Sequence, residues 1–144
     1  LDVTVQAQIL HQLDQLRQER GTAILLITHD FGVVAQMADE VAVMYAGRIV
    51  ESGSVRDMLK SPLHPYTQAL LSSAPIADPD KERARQRIVL EGDVPSPIDP
   101  PSGCRFRTRC WKAQDICATD TPELVDRGTG HPVACHFAEV REVV

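Results

Sequence analysis

Residues 24–27, Ile24-Leu25-Leu26-Ile27, run straight into Thr28-His29-Asp30, and this junction constrains the fold more than any other stretch of the chain. Four consecutive apolar residues without polar alternation predict a strand over residues 23–28 buried on both faces, as strands of parallel sheets are. Polarity returns at Thr28, which places His29 at the carboxyl end of that strand, where open α/β sheets bind their ligands. An imidazole there can donate to an anion, or it can simply cap the next helix or satisfy a carbonyl, and the heptad alone leaves both readings open.

The flanking sequence predicts further elements. Val5, Ile9, Leu10, Leu13 and Leu16 recur at helical spacing, so residues 5–20 read as an amphipathic helix capped by Asp2 or Thr4 and closed by Gly21. Asp30 is the expected cap of a helix over residues 31–38. Residues 41–45 read as an apolar strand and residues 48–51 as a half-exposed one, with Ala46-Gly47 as the turn between them. Ser54 and Asp57 have capping-box spacing for a short helix over residues 54–59, which Ser61-Pro62 stops. Pro65 suits the first position of a helix over residues 65–73. The charges of residues 78–87 fit an exposed helix or linker, and residues 88–90 a short strand. Pro95, Pro97, Pro100 and Pro101 make residues 94–101 extended and irregular, a boundary beyond which the chemistry changes.

A formal charge of -5 argues against a general nucleic-acid binder, because phosphate contacts need a basic face. No apolar run approaches the roughly 18 residues that span a bilayer, and no signal peptide is legible at the amino terminus. The chain opens on Leu1 without an initiator Met, directly before a helix, which suggests a piece of a longer protein. No Gly-x-x-x-x-Gly-Lys-Ser/Thr sequence occurs, so the phosphate cradle of a P-loop is absent from these 144 residues.

All four cysteines, Cys104, Cys110, Cys117 and Cys135, lie in the last third with spacing C-x5-C-x6-C-x17-C. Four thiolates suit tetrahedral zinc or an iron–sulfur cluster. None of the gaps has the two to four residues usual in zinc ribbons, and widely spaced ligands sit more comfortably around a bulky cubane, although spacing does not exclude zinc. Free thiols or oxidised pairs are the third reading. Arg105, Arg107 and Arg109 would offset the negative charge of either centre, and amides from Gly103 onward would donate to its sulfurs. His131 and His136 flank Cys135 as alternative ligands or, more simply, surface residues. Trp111, the single tryptophan, reads as the apolar anchor of this region.

In this order Leu1-Asp2, His29-Asp30 and the segment from Val41 to Gly53 resemble the last third of an ABC-transporter ATPase. By that resemblance Leu1-Asp2 ends the D-loop and Asp2 communicates across a nucleotide sandwiched between two subunits, while His29 is the switch histidine contacting the γ-phosphate of ATP. His64-Pro65-Tyr66-Thr67 resembles the HPYT element of peptide-importer ATPases; the bland reading is that His64 and Tyr66 dock their helix on the core. Pro95, Pro97, Pro101, Gly103-Cys104, Phe106, Arg109-Cys110, Cys117, Pro122, Gly130 and Ala134-Cys135 resemble the C-terminal region of dipeptide and oligopeptide importer ATPases, in members of which the cysteines hold a [4Fe–4S] cluster. A cytoplasmic ATPase would keep these thiols in a reducing compartment, which favours metal ligation over disulfides.

The resemblance implies an α/β fold: the C-terminal remnant of a P-loop NTPase core over residues 1–60, a helical or linker segment over 61–93, and a small irregular cysteine-rich region over 94–144. It implies an ATP-binding subunit energising import of di- or oligopeptides, with nickel as an alternative cargo and ATP and Mg as cofactors of the parent. The missing Walker A, signature and Walker B motifs imply a segment inactive alone. Implied partners are a second ATP-binding subunit, transmembrane permease subunits and, indirectly, a substrate-binding protein, at the cytoplasmic face of the inner membrane. A stand-alone four-cysteine interaction module is the rival reading. Loss of the neighbouring strand would leave residues 23–28 with an edge ready to self-associate.

Overall fold

The structure, a computed structural model, describes residues 3–75, 78, 80, 83, 87–128 and 130–141. It is a mixed α/β arrangement whose one sheet among the described residues has two strands. The chain divides into two compact units, Leu1–Ala38 and Asp39–Val144.

In the first unit the apolar repeat forms helix α1, Val3–Arg20, with Leu10 buried. Gly21 closes it at φ 61°, and Thr22 N–H returns to the Arg17 carbonyl at 3.3 Å. Helix α2, Phe31–Met37, starts where expected: Asp30 Oδ1 accepts from Gly32 N at 2.8 Å and Val33 N at 3.3 Å. These amide donors hold the Asp30 carboxyl below its usual range. The expected strand over residues 23–28 is not formed. Residues 22–28 are irregular, with Leu25 91% and Ile27 92% exposed. A strand buried on two faces owes its hydrogen bonds and its cover to neighbouring strands. Among the described residues, the only strands are two that pair with each other.

Those two strands open the second unit. β1, Glu40–Tyr45, and β2, Arg48–Ser54, pair antiparallel through a two-residue turn at Ala46-Gly47. Both turn residues have positive φ, 45° and 80°, the left-handed pair whose twist matches a hairpin. The register slips between Val43 and Met44, so that Val50 is the extra residue of a bulge. The slip corrects the half-exposed alternation expected for residues 48–51: Val50 and Glu51 are both buried, and Glu51 has no exposure at all. The unpaired edge of β2 is met by the far end of the chain. Ser52 N–H donates to Pro132 O at 3.1 Å, and Ala134 N–H to Val50 O at 2.8 Å. Val133 bridges Glu51 on one side and Val125 on the other.

Helix α3, Val55–Lys60, carries the capping pair read from its sequence, with Asp57 N–H donating to Ser54 Oγ at 3.1 Å and Ser54 Oγ to Asp57 Oδ2 at 2.7 Å. Helix α4, Pro65–Ser73, has Pro65 in its first turn and His64 as its cap. Residues 87–90 form no strand; Ile88 N–H is taken up by the Ser72 hydroxyl at 3.0 Å. The charged stretch 78–87 lies mostly outside the described residues. Residues 94–101 are irregular, as their prolines require.

Val43, Tyr45, Val50, Met58 and Phe106 form one buried cluster, and Leu63, Val133 and Cys135 a second. Phe106 is the aromatic anchor, in edge contact with Tyr45 at 5.0 Å and tilted against Tyr66 at 5.5 Å. Trp111, expected in that role, is 43% exposed and lies under Arg141. Phe106 takes the role because its ring, 1% exposed, packs on Tyr45 of the hairpin, whereas Trp111 is not part of that cluster.

Candidate functional site

The four cysteines come from three separate pieces of chain and line one cavity in the second unit. Cys104 and Cys110 bracket a run of turns, Cys117 sits in the short helix α5, Ile116–Thr119, and Cys135 follows the segment docked on β2. Cys104 N–H donates to the Cys117 carbonyl at 2.8 Å, tying two of these pieces together. Gly103 permits the approach. Its φ is 64°, and a Cβ would overlap the Cys117 carbonyl oxygen and stand 2.8 Å from the Ala118 carbonyl carbon.

Backbone amides face the sulfurs. Lys112 N–H lies 3.4 Å from Cys110 Sγ, and Phe137 N–H 3.4 Å from Cys135 Sγ. The Phe106 and Arg107 amides serve Cys104. Burial pushes the Cys104 and Cys110 thiols up, and Cys135 up to about 11, the amide donors offsetting this in part. All four are free thiols in the structure, and a metal captured here must displace their protons.

Four thiols, two amide donors and the cations of Arg107 and Lys112 surround this cavity. The cavity itself has room for about one water, 10 Å³, so its loops must part to admit anything bulkier. Among the described residues no three His, Cys, Asp or Glu stand close enough to hold a single metal ion. Of the arginines expected beside the cysteines, Arg107 lines the cavity, whereas Arg105 donates to the Ala46 carbonyl and Arg109 to the Glu91 carbonyl. Lys112, which the sequence reading passed over, also lines it. Its Nζ donates to Phe137 O at 2.8 Å and pairs with Glu139 Oε1 at 2.6 Å, fastening the Cys135 arm.

Next to the cavity is a second polar centre that periodicity could not reveal. Glu51 Oε1 accepts from Leu63 N at 2.7 Å and from His131 Nε2 at 2.7 Å, and Oε2 accepts from His64 N at 3.0 Å. His131 is therefore a buried partner of Glu51, 4% exposed, and not the surface residue or alternative ligand expected. His136 does line the cysteine cavity, with Nε2 3.2 Å from Asp120 O. Gln68 Nε2 donates to Pro62 O at 2.9 Å and Glu139 O at 2.8 Å, closing the same tail onto α4.

His29 is exposed, immediately before the Asp30 cap of α2, in the first unit. Asp2 lies outside the described residues. His64 and Tyr66 dock α4 on the core, as the bland reading of the HPYT element had it: Tyr66 N–H donates to His64 Nδ1 at 3.0 Å, and both rings pack on Phe106.

Residues 50–117 match the model of the oligopeptide/dipeptide transporter C-terminal region. Along its full length the chain is 47% identical to YkfD of Bacillus subtilis, named as an oligopeptide transport ATP-binding protein, of which it covers 45%. It is 52% identical over 94% of its length to y4tS of Sinorhizobium fredii, named as a peptide ABC transporter ATP-binding protein. To the oligopeptide transport ATP-binding protein OppF of Haemophilus influenzae it is 47% identical, again over 94% of its length. The chain spans less than half the length of these relatives, 38% to 45%.

Proposed function

We propose that the chain is the carboxyl-terminal part of an ATP-binding subunit that energises import of di- or oligopeptides. One observation carries this reading: the chain aligns over 94% to 100% of its length with proteins named for peptide transport and ATP binding. Residues 1–60 then belong to the ATPase core, 61–93 form a helical connection and 94–144 the cysteine-bearing region. ATP with Mg supplies the driving reaction in the whole subunit. His29 serves it by hydrogen-bonding the terminal phosphate, and Asp2 couples the two nucleotide sites of a subunit pair. Both roles require the rest of the core, so the 144 residues alone do not turn over ATP.

Partners in this reading are a second ATP-binding subunit and the transmembrane permease subunits, with a substrate-binding protein acting through the latter, at the cytoplasmic face of the membrane. Among the described residues no helix is long and apolar enough to cross a membrane. Peptide and nickel cargoes are distinguished elsewhere in such an assembly.

For the cysteines the reading is a [4Fe–4S] cluster held by Cys104, Cys110, Cys117 and Cys135. Support comes from their convergence on one cavity. The centre in this reading is structural or regulatory. The test begins upstream: a coding sequence with a Gly-rich Lys-Ser/Thr loop about a hundred residues before Leu1 is expected. A start codon just before Leu1 would leave a stand-alone four-cysteine module instead. In the intact transporter, His29→Ala should abolish ATP-driven peptide uptake; unchanged uptake would overturn the role given to His29. Anaerobic purification followed by iron, sulfide and zinc analysis decides the centre, and stoichiometric zinc without iron would overturn the cluster.

A further inference from the structure

The four thiols are not held alike. Cys104, Cys110 and Cys117 belong to one knitted piece of chain: Cys104 N–H donates to Cys117 O at 2.8 Å, Ser102 Oγ to Ala118 O at 2.8 Å and Thr121 Oγ1 to Gly103 O at 3.2 Å. The amides of Arg107, Arg109 and Ala113 continue this as backbone turns from Cys104 through Cys110. Cys135 arrives differently. The backbone pairing that docks the tail on β2 ends at Ala134, whose N–H donates to Val50 O at 2.8 Å, and among the described residues no backbone–backbone hydrogen bond ties residues 135–139 to another segment. Side chains fasten them instead. Lys112 Nζ donates to Phe137 O at 2.8 Å and pairs with Glu139 Oε1 at 2.6 Å, Gln68 Nε2 donates to Glu139 O at 2.8 Å, and His136 Nε2 lies 3.2 Å from Asp120 O. The Glu139 side chain is 66% exposed, so one of these fastenings stands in solvent.

We infer that residues 135–139 form a strap, hinged at Ala134 and clasped by Lys112, that lifts Cys135 off the cavity while the other three thiols stay in place. With room for about one water, 10 Å³, the cavity admits a larger reagent only when a wall moves, and the strap is the wall held by side chains. A segment fastened in this way opens at a lower free energy than one in a backbone ladder, without global unfolding. The exposed carboxylate of the clasp also makes opening respond to ionic strength, because salt screens charges that stand in water. The strap is a property of the reduced thiols and does not depend on the cluster.

The test uses the full chain, metal-free with its thiols reduced, at constant pH. Hydrogen exchange is read residue by residue, and alkylation by N-ethylmaleimide, a neutral reagent, is followed at each cysteine by peptide mass. Lys112→Met removes both Lys112 bonds. It is expected to speed exchange at the Phe137 amide and alkylation of Cys135 about tenfold, leaving the Ala134, Cys104 and Cys117 amides as slow as in the wild type. Glu139→Gln removes the ion pair alone and should speed both about threefold. Combined with Lys112→Met it should add nothing, because its partner is already gone. In the wild type, raising the salt from about 0.05 M to about 0.5 M should speed Cys135 alkylation about twofold, a response that Glu139→Gln abolishes. If Lys112→Met does not fold, Glu139→Gln and the salt series decide, since they alter one exposed group. Exchange that rises equally at Phe137, Ala134 and Cys104 means global opening and overturns the strap. Cys135 alkylation that neither the variants nor salt change overturns it too.

Discussion

Glu51 stands on β2 with both carboxylate oxygens occupied, by two amides from the Leu63-His64 corner and by His131 from near the end of the chain. Nothing in Arg48-Ile49-Val50-Glu51 announces this, because the burial of Glu51 depends on a bulge and on a partner 80 residues away. Glu51→Ala orphans two buried amides and an imidazole, and should lower stability by about 3–5 kcal/mol in urea denaturation. The Tyr45 hydroxyl presents the opposite case. It is buried with no partner among the described residues, so Tyr45→Phe should raise stability by about 1 kcal/mol, read as a higher melting temperature. His64 adds a pH dependence. Burial lowers its pKa from 6.5 to about 3. The unfolded chain takes up this proton near pH 6.5 and the folded chain only near pH 3. Its contribution is complete above 6.5 and is lost as the pH falls toward 3. Between pH 7 and pH 4 this removes about 3 kcal/mol from the thiol form, and the loss should vanish in His64→Asn.

Elements whose signals are local were the legible ones. Asp30, Ser54 and Pro65 mark helix starts because a cap is chemistry within three residues. Ala46-Gly47 marks the hairpin for the same reason. The apolar run at residues 24–27 misled because the same four residues are a strand only where other strands flank them. In the cysteine region the four thiols line one cavity, but selecting Phe106 over Trp111 needed the path of the turns, which composition does not contain. Gly103 is the element-scale test of that path. Gly103→Ala forces a left-handed Ala, at about 1–3 kcal/mol, into the Cys117 carbonyl. It should break the Cys104–Cys117 backbone bond, measured as faster hydrogen exchange at the Cys104 amide.

At the scale of the molecule the two compact units differ in what their own residues bury. The exposed run at residues 22–28 should exchange its amide hydrogens within seconds, whereas the amides of Ser52, Leu63, His64 and Ala134, which close the far segment and the Pro62 corner onto β2, should be among the slowest. Uniform exchange across both sets would contradict the second unit as described.

The docking of residues 132–134 on β2 has a consequence for synthesis. Glu51 leaves the ribosome 80 residues before His131, which at usual elongation rates is a wait on the order of 4–16 s. During that interval an acidic side chain and an open β edge belong to a hairpin whose seal has yet to be translated. A nascent polypeptide stalled before Pro132 should therefore be a client for chaperones, and release of the last dozen residues should end that dependence.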